Sequence, residues 1–164
     1  MEIIEYKGSY YPAFQAEGNA AQYVLPFALK VCKGRGVDIG CARSEWAFPG
    51  ALLVDPVING LHSTGFPMRD LDYIFSSHCL EHVPCWVDAL NYWHDALRVG
   101  GTLFLYLPHY SQEYWRPWNN RKHRHLLTPE LLRDYLKDKG WRNIFTTGAD
   151  LNNSFAVMAE KRAQ

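Results

Sequence analysis

Apolar residues at positions 21, 24, 25, 28, 29 and 32 of the stretch EGNAAQYVLPFALKVC (18–33) predict a helix with one buried stripe. Pro26 lies inside that pattern and lacks an N–H, which forecasts a kink or a late start. The period then changes. GVDIG (36–40) and ALLVD (51–55) are short continuous apolar runs, closed by Gly40 and by Asp55-Pro56, as buried parallel strands are. DYIFSS (72–77) and TLFLYL (102–107) read the same way. Between them, PCWVDALNYWHDALRVGG carries apolar residues at 86, 89, 90, 93, 96 and 97, one helical face ended by Gly100-Gly101. TPELLRDYLKDKG then offers Thr128 as an N-cap, Pro129 at the first helical position and Gly140 as a stop. WRNIFTT and SFAVMAEK close the chain as two adjacent strands joined by the turn-rich GADLNN.

Strand and helix alternate, which predicts an α/β fold: a Rossmann-like, doubly wound, mostly parallel sheet with a C-terminal antiparallel strand. Only 16 residues separate Asp38 from Asp55, so the first crossover must be short or irregular. Another 16 separate Asp55 from Asp72, too few for a full helix, strand and loop. The sheet should therefore be trimmed in the second and third crossover region, with NGLHST at most a vestigial strand. No repeat, low-complexity tract or linker divides the chain. We expect one domain over 1–164: an N-terminal cap segment and helix (1–33), a core (34–160), and an aromatic and basic lid loop (108–127).

Composition narrows the function. Of 164 residues, 48% are hydrophobic, enough for one sizeable core. Seventeen basic residues balance 17 acidic ones, which argues against nucleic acid as the main partner, since phosphate binding normally needs a positive excess. There is no apolar run long enough to span a membrane and no visible signal peptide, and the four cysteines form no C-x-x-C pair. Reduced thiols in a cytoplasmic protein are the expectation.

In doubly wound sheets the ligand crevice lies beyond the C-terminal ends of the parallel strands. The first such end, VDIGCARSE, places Asp38 and Gly40 before the small residues Cys41 and Ala42, where backbone N–H groups can approach a ligand closely. The second ends in Asp55, able to accept both hydroxyls of a ribose or, equally, to cap the turn at Pro56. The third ends in SSHCLEHVP. His78, Glu81 and His82 spell H-x-x-E-H, a zinc-peptidase pattern when carried on one helix. Here Ser76-Ser77 close a strand and Pro84 breaks any helix bearing the triplet, so it belongs to a strand-end loop.

These segments together resemble the class I S-adenosylmethionine-dependent methyltransferases, especially their small type 11 group. The resemblance rests on VDIGCA (37–42), LLVDP (52–56), LDYIFSSHCLEHV (71–83), LRVGGTLFLYLPH (97–109) and the late helix in KHRHLLTPELLRDYLKDKGW. It implies S-adenosylmethionine as cofactor. Asp38, Gly40, Cys41, Ala42, Ser77 and His78 would hold it, with Asp55 on the ribose and Val57 and Ile58 on the adenine. Two departures stand out. The loop has Ala42 where the family usually has glycine, and the adenine amino group finds only Asp70 as a weak acidic counterpart. Some relatives carry an E-x-x-E-H cluster that holds a divalent ion. His78 replaces its first carboxylate here, and hard magnesium prefers oxygen, so no metal is expected.

Methyl transfer needs the acceptor positioned and its proton removed. His109, after TLFLYLP, and His78 are the candidate bases, with His109 slightly favoured. The segment YLPHYSQEYWRPWNNRKHRH (106–125) could wall an acceptor pocket with Tyr106, Tyr110, Tyr114, Trp115 and Trp118. Arg116, Arg121, Lys122 and Arg124 could bind a phosphate or carboxylate on the acceptor. The same composition also suits a homo-oligomer interface. His123 and His125 form an H-x-H pair with no third ligand nearby in sequence. The expected activity is methyl transfer to a small-molecule, glycan or lipid-precursor acceptor. The alternative is a catalytically silent module that uses the fold to engage a protein partner.

Overall fold

The computed structural model describes residues 2–13 and 18–163, so residues 1 and 14–17 of the N-terminal cap segment lie outside the described residues. A small hairpin, β1 (Ile3–Tyr6) and β2 (Ser9–Pro12), precedes helix α1 (Ala21–Val31). The core follows as β3 (Gly36–Ile39), β4 (Leu52–Val54), a single turn α2 (Pro56–Asn59) and β5 (Leu71–Ser77). Then come α3 (Trp86–Ala96), β6 (Leu97–Pro108), α4 (Pro129–Asp138), β7 (Arg142–Thr146) and β8 (Ser154–Glu160). The six-stranded sheet runs β4-β3-β5-β6-β8-β7. Its first four strands are parallel, and β8 is antiparallel to both β6 and β7.

The sheet has a core on each face because its central strands are apolar in both directions. Ile74 and the odd-numbered Leu103, Leu105 and Leu107 join Leu90, Trp93, Leu132 and Leu136 of α3 and α4. Tyr73, Phe75, Phe104 and Tyr106 face the other way and meet Val24 and Ala28 of α1. Phe48, Phe75 and Phe104 stack through that second core at centroid separations of 4.8 and 5.6 Å.

The trimming is as the spacing requires. The first crossover holds only a 3₁₀ turn (Ser44–Trp46), and residues 60–70 contain no strand, so NGLHST contributes none. Three-residue β4 is thereby the edge of the sheet. α1 starts late, at Ala21, and carries Pro26 within it. One boundary differs from expectation: β6 begins at Leu97, not 102. Leu71 pairs with Leu97 and Tyr73 with Thr102, so a bulge absorbs the extra residues. Gly100 takes φ +77°, and a Cβ on Gly101 would lie 2.8 Å from the Leu71 carbonyl oxygen, which is why two glycines sit there.

Candidate active site

The tips of β3 and β5 meet under α1 and open into a cavity of about 340 Å³. One wall is Asp38, Gly40, Cys41, Ala42, Ser77 and His78, and the opposite wall is His82, Gln112, Trp115, Lys122, His123 and Asn152. Residues 18–21 and Tyr23, at the start of α1, close a third side.

The β3 loop is held tightly. Gly40 donates its N–H to the Val54 carbonyl at 2.9 Å and adopts φ +82°. A Cβ there would come within 2.4 Å of Cys79 Sγ, so glycine is required by the close approach of the two strand tips. Ala42 also lies in the left-handed region, at φ +61°. The departure from glycine is thus a conformational cost, offset by the bond from Ala42 N–H to Asp55 Oδ2 at 2.9 Å. Asp38 is buried and accepts the Phe48 N–H at 2.7 Å. Burial raises its carboxyl to about 7, opposed by the Phe48 bond, and the Asp55 charge adds to the rise. It also faces the cavity, where Ser77 Oγ is buried without a partner.

Asp55 does not line the cavity. Its Oδ1 caps α2 by accepting from Val57 N–H at 2.9 Å and Ile58 N–H at 3.3 Å, while Oδ2 holds Ala42. Of the two uses open to an Asp before proline, this geometry is the cap. Val57 is 87% exposed and, like Ile58, lies outside the cavity walls. Asp70 is likewise absent from the walls.

The two candidate bases part company. His109 lies outside the cavity: β6 runs on to Pro108, and the His109 ring folds back onto its own turn, with Nδ1 2.8 Å from Ser111 Oγ. It lines instead a smaller adjoining hollow with Glu81, Gln112, Trp115 and His123. His78 does line the cavity, at φ +48°, with Nε2 2.9 Å from Ser154 Oγ. Burial lowers its imidazole to about 3, helped by the neighbouring His123 and His82.

The lid segment delivers fewer contacts than its composition offers. Trp115 and Lys122 face the cavity. Tyr106 is buried and bonded to Asp150, Tyr114 packs edge-on against Tyr6 of the hairpin, and Trp118 is 66% exposed beneath Arg116. Arg116 is taken up by Glu113 at 3.3 Å and the Tyr110 carbonyl. His123 and His125 separate: His125 bonds the Val83 carbonyl, whereas His123 enters the cavity wall and stacks on Trp115 at 5.0 Å. Arg124 and His125 donate their N–H groups to the Glu81 carbonyl, which anchors the lid to the β5 loop and brings His123 beside Glu81 and His82. Asn152 was not foreseen. It sits in the β7–β8 turn, where Asp150 accepts the N–H groups of Asn152 and Ser154. The sequence shows only a turn there.

Residues 15–145 match the methyltransferase domain family. The chain belongs to that family. It is an S-adenosylmethionine-dependent methyltransferase of class I, with the Rossmann-like sheet described above. Three solved structures share the fold. A chain from the complex of the Haloferax volcanii Trm112 methyltransferase activator with a methyltransferase is 13% identical, at TM-score 0.69, covering 92% of this chain and 97% of that one. An S-adenosylmethionine-dependent methyltransferase from Archaeoglobus fulgidus is 15% identical, at TM-score 0.68, covering 91% and 98%. One from Thermotoga maritima is 16% identical, at TM-score 0.65, again covering 91% and 98%. No curated protein sequence is significantly similar to the chain. Among the described residues, no helix is long and apolar enough to cross a membrane.

Proposed function

We propose that this methyltransferase acts on a small-molecule acceptor, glycan and lipid precursors included, bound between the β3 loop and the lid wall. The observation that carries the reading is the cavity itself. Its volume of about 340 Å³ lies at the small end for ligand sites, and its far wall presents an aromatic face, imidazoles and one ammonium group. Gly40, Cys41 and Ala42 offer close backbone approach to the methionine end of the cofactor. Asp38 answers its positive charge, and the unpartnered Ser77 hydroxyl offers a hydrogen bond. The cofactor supplies an electrophilic methyl group on a sulfonium. The adenosine end would extend past Ala42 over Val57 and Ile58, with Asp55 acting on it through the loop it fastens.

On the acceptor side, Trp115 gives a flat apolar surface and Lys122 a cation for a carboxylate or phosphate. His78 stays neutral at physiological pH, and an imidazole of such low basicity is a weak proton acceptor. With Nε2 bonded to Ser154 Oγ, it shapes the acceptor side of the cavity more than it deprotonates what binds there. The test is calorimetry with S-adenosylmethionine and S-adenosylhomocysteine, followed by methyl-label transfer to small-molecule fractions. One-to-one binding of both, with label moving to a small molecule, is the expected result. Label arriving only on protein or RNA would overturn it.

A second reading gives the fold a partner. The Haloferax protein of similar fold is found with an activator, and here the edge strand β4 leaves Leu52 43% exposed next to exposed Val57. On that reading the isolated chain binds neither nucleoside, and binding appears only when a partner is added.

A further inference from the structure

Where the lid meets the β5 loop, four electron-pair donors converge beside the cavity. Glu81 is 1% exposed, and neither of its carboxylate oxygens has a hydrogen-bond partner. His82 Nε2 lies 3.7 Å from Glu81 Oε1 and His78 Nδ1 lies 3.9 Å from it. The tautomers follow from what the other ring nitrogens touch. His82 Nδ1 is 2.8 Å from the Lys122 carbonyl oxygen, which can only accept, so Nδ1 carries the proton and Nε2 the lone pair. Ser154 Oγ donates to the Asn152 carbonyl and is left to accept from His78 Nε2, so His78 Nδ1 also carries a lone pair. His123 Nδ1 is buried and unpartnered, and its ring bonds the Trp115 backbone. Ligand atoms of Glu81, His82 and His123 all lie within 4.8 Å of one another.

Such a cluster calls for a shared proton or a cation, because buried polar atoms are otherwise paired. We propose that Glu81, His82 and His123 bind a divalent transition-metal ion of the zinc type, with His78 Nδ1 adjacent as a fourth donor. Donors about 2.1 Å from one tetrahedral ion sit roughly 3.4 Å apart, so the observed separations close by small side-chain shifts. The hydrogen bonds that His82 donates to the Lys122 carbonyl and His78 donates to Ser154 Oγ are the outer contacts that orient ligating imidazoles. Three imidazoles and one carboxylate favour zinc, iron(II) or nickel over magnesium. His123 comes from the lid and Glu81 and His82 from the β5 loop, so the ion would also pin the lid shut. A fifth position, open toward the cavity, would hold and acidify an oxygen acceptor. That last role rests on the small-acceptor reading; the ion site does not.

The test is zinc and cobalt(II) titration of the metal-stripped chain, read by calorimetry, visible absorption and thermal melting. One ion per chain, a cobalt d–d band and a raised Tm are expected, and magnesium should not compete. His123→Ala and Glu81→Gln should each lower zinc affinity by more than about a hundredfold, while His125→Ala, two residues along and bonded through its ring to the Val83 carbonyl, should leave it unchanged. Wild-type protein that takes up no stoichiometric ion, or uptake indifferent to both His123→Ala and His82→Ala, would overturn the site. S-adenosylhomocysteine titration of the stripped chain separates the two claims. Nucleoside binding without metal uptake removes the ion alone, and metal uptake without a small-molecule acceptor removes only the catalytic role.

Discussion

Gly40→Ala tests the geometry on which the cofactor loop depends. The added methyl would stand 2.4 Å from Cys79 Sγ and 2.6 Å from Cys79 Cβ, on a residue at φ +82°. The left-handed conformation costs an alanine about 1 kcal/mol, and overpacking a tight contact costs roughly 1–3 kcal/mol more. Reduced freedom of the unfolded chain returns about 0.4–1 kcal/mol. The net loss is about 2–3 kcal/mol, which for a domain of this length lowers Tm by roughly 5–10 °C. Because the same loop presents Cys41 and Ala42 to the cavity, affinity for S-adenosylhomocysteine should fall as well. Denaturant melts of Gly40→Ala, Cys79→Gly and the double variant isolate the contact. The double variant should be more stable than the sum of the single losses by about 1–2 kcal/mol, since the clash is gone and only the backbone cost remains. Strict additivity would refute the claim that Cys79 dictates the glycine.

Three further outcomes follow from the site. Asp38 has its folded-state carboxyl raised to about 7 from 3.8, so between those values the folded chain keeps a proton that the unfolded chain releases. Stability from this group is complete below pH 4 and declines as pH rises to 7, by up to about 4 kcal/mol; Asp38→Asn should flatten that slope in pH-dependent melts. Asp55→Ala removes the α2 cap and leaves the Ala42 N–H unpaired, and should cost about 2–3 kcal/mol by urea titration. Unchanged stability with lost nucleoside affinity would instead make Asp55 a ribose ligand only. Ala42→Gly should hold stability within about 0.5 kcal/mol by the same titration, because relief at φ +61° offsets the glycine entropy cost.

The parallel strands were legible because fully buried strands read as unbroken apolar runs, and the 16-residue gaps told which crossovers had to be lost. The start of β6 was not, since Arg98 to Gly101 form a bulge whose pairing depends on Leu71 across the sheet. At the site, Asp38, Gly40, Cys41, Ala42, Ser77 and His78 fell where strand-end reasoning puts ligand groups. Asp55 read as a ribose ligand once the whole strand-end pattern was weighed, whereas its carboxylate is occupied by the Val57, Ile58 and Ala42 N–H groups, contacts that only the fold reveals. His123 was passed over because its neighbours Glu81 and His82 are about forty residues away along the chain, joined to it by backbone bonds that no local pattern announces.

The N-terminal hairpin is clasped to the lid: Tyr6 donates its hydroxyl to the Asn119 carbonyl at 3.1 Å, Lys7 reaches the Asn119 side chain, and Tyr114 packs against Tyr6 edge-on and against Tyr11 at a tilt. The lid and the hairpin are therefore fastened to one another, so any displacement of residues 113–119 would carry the first dozen residues with it.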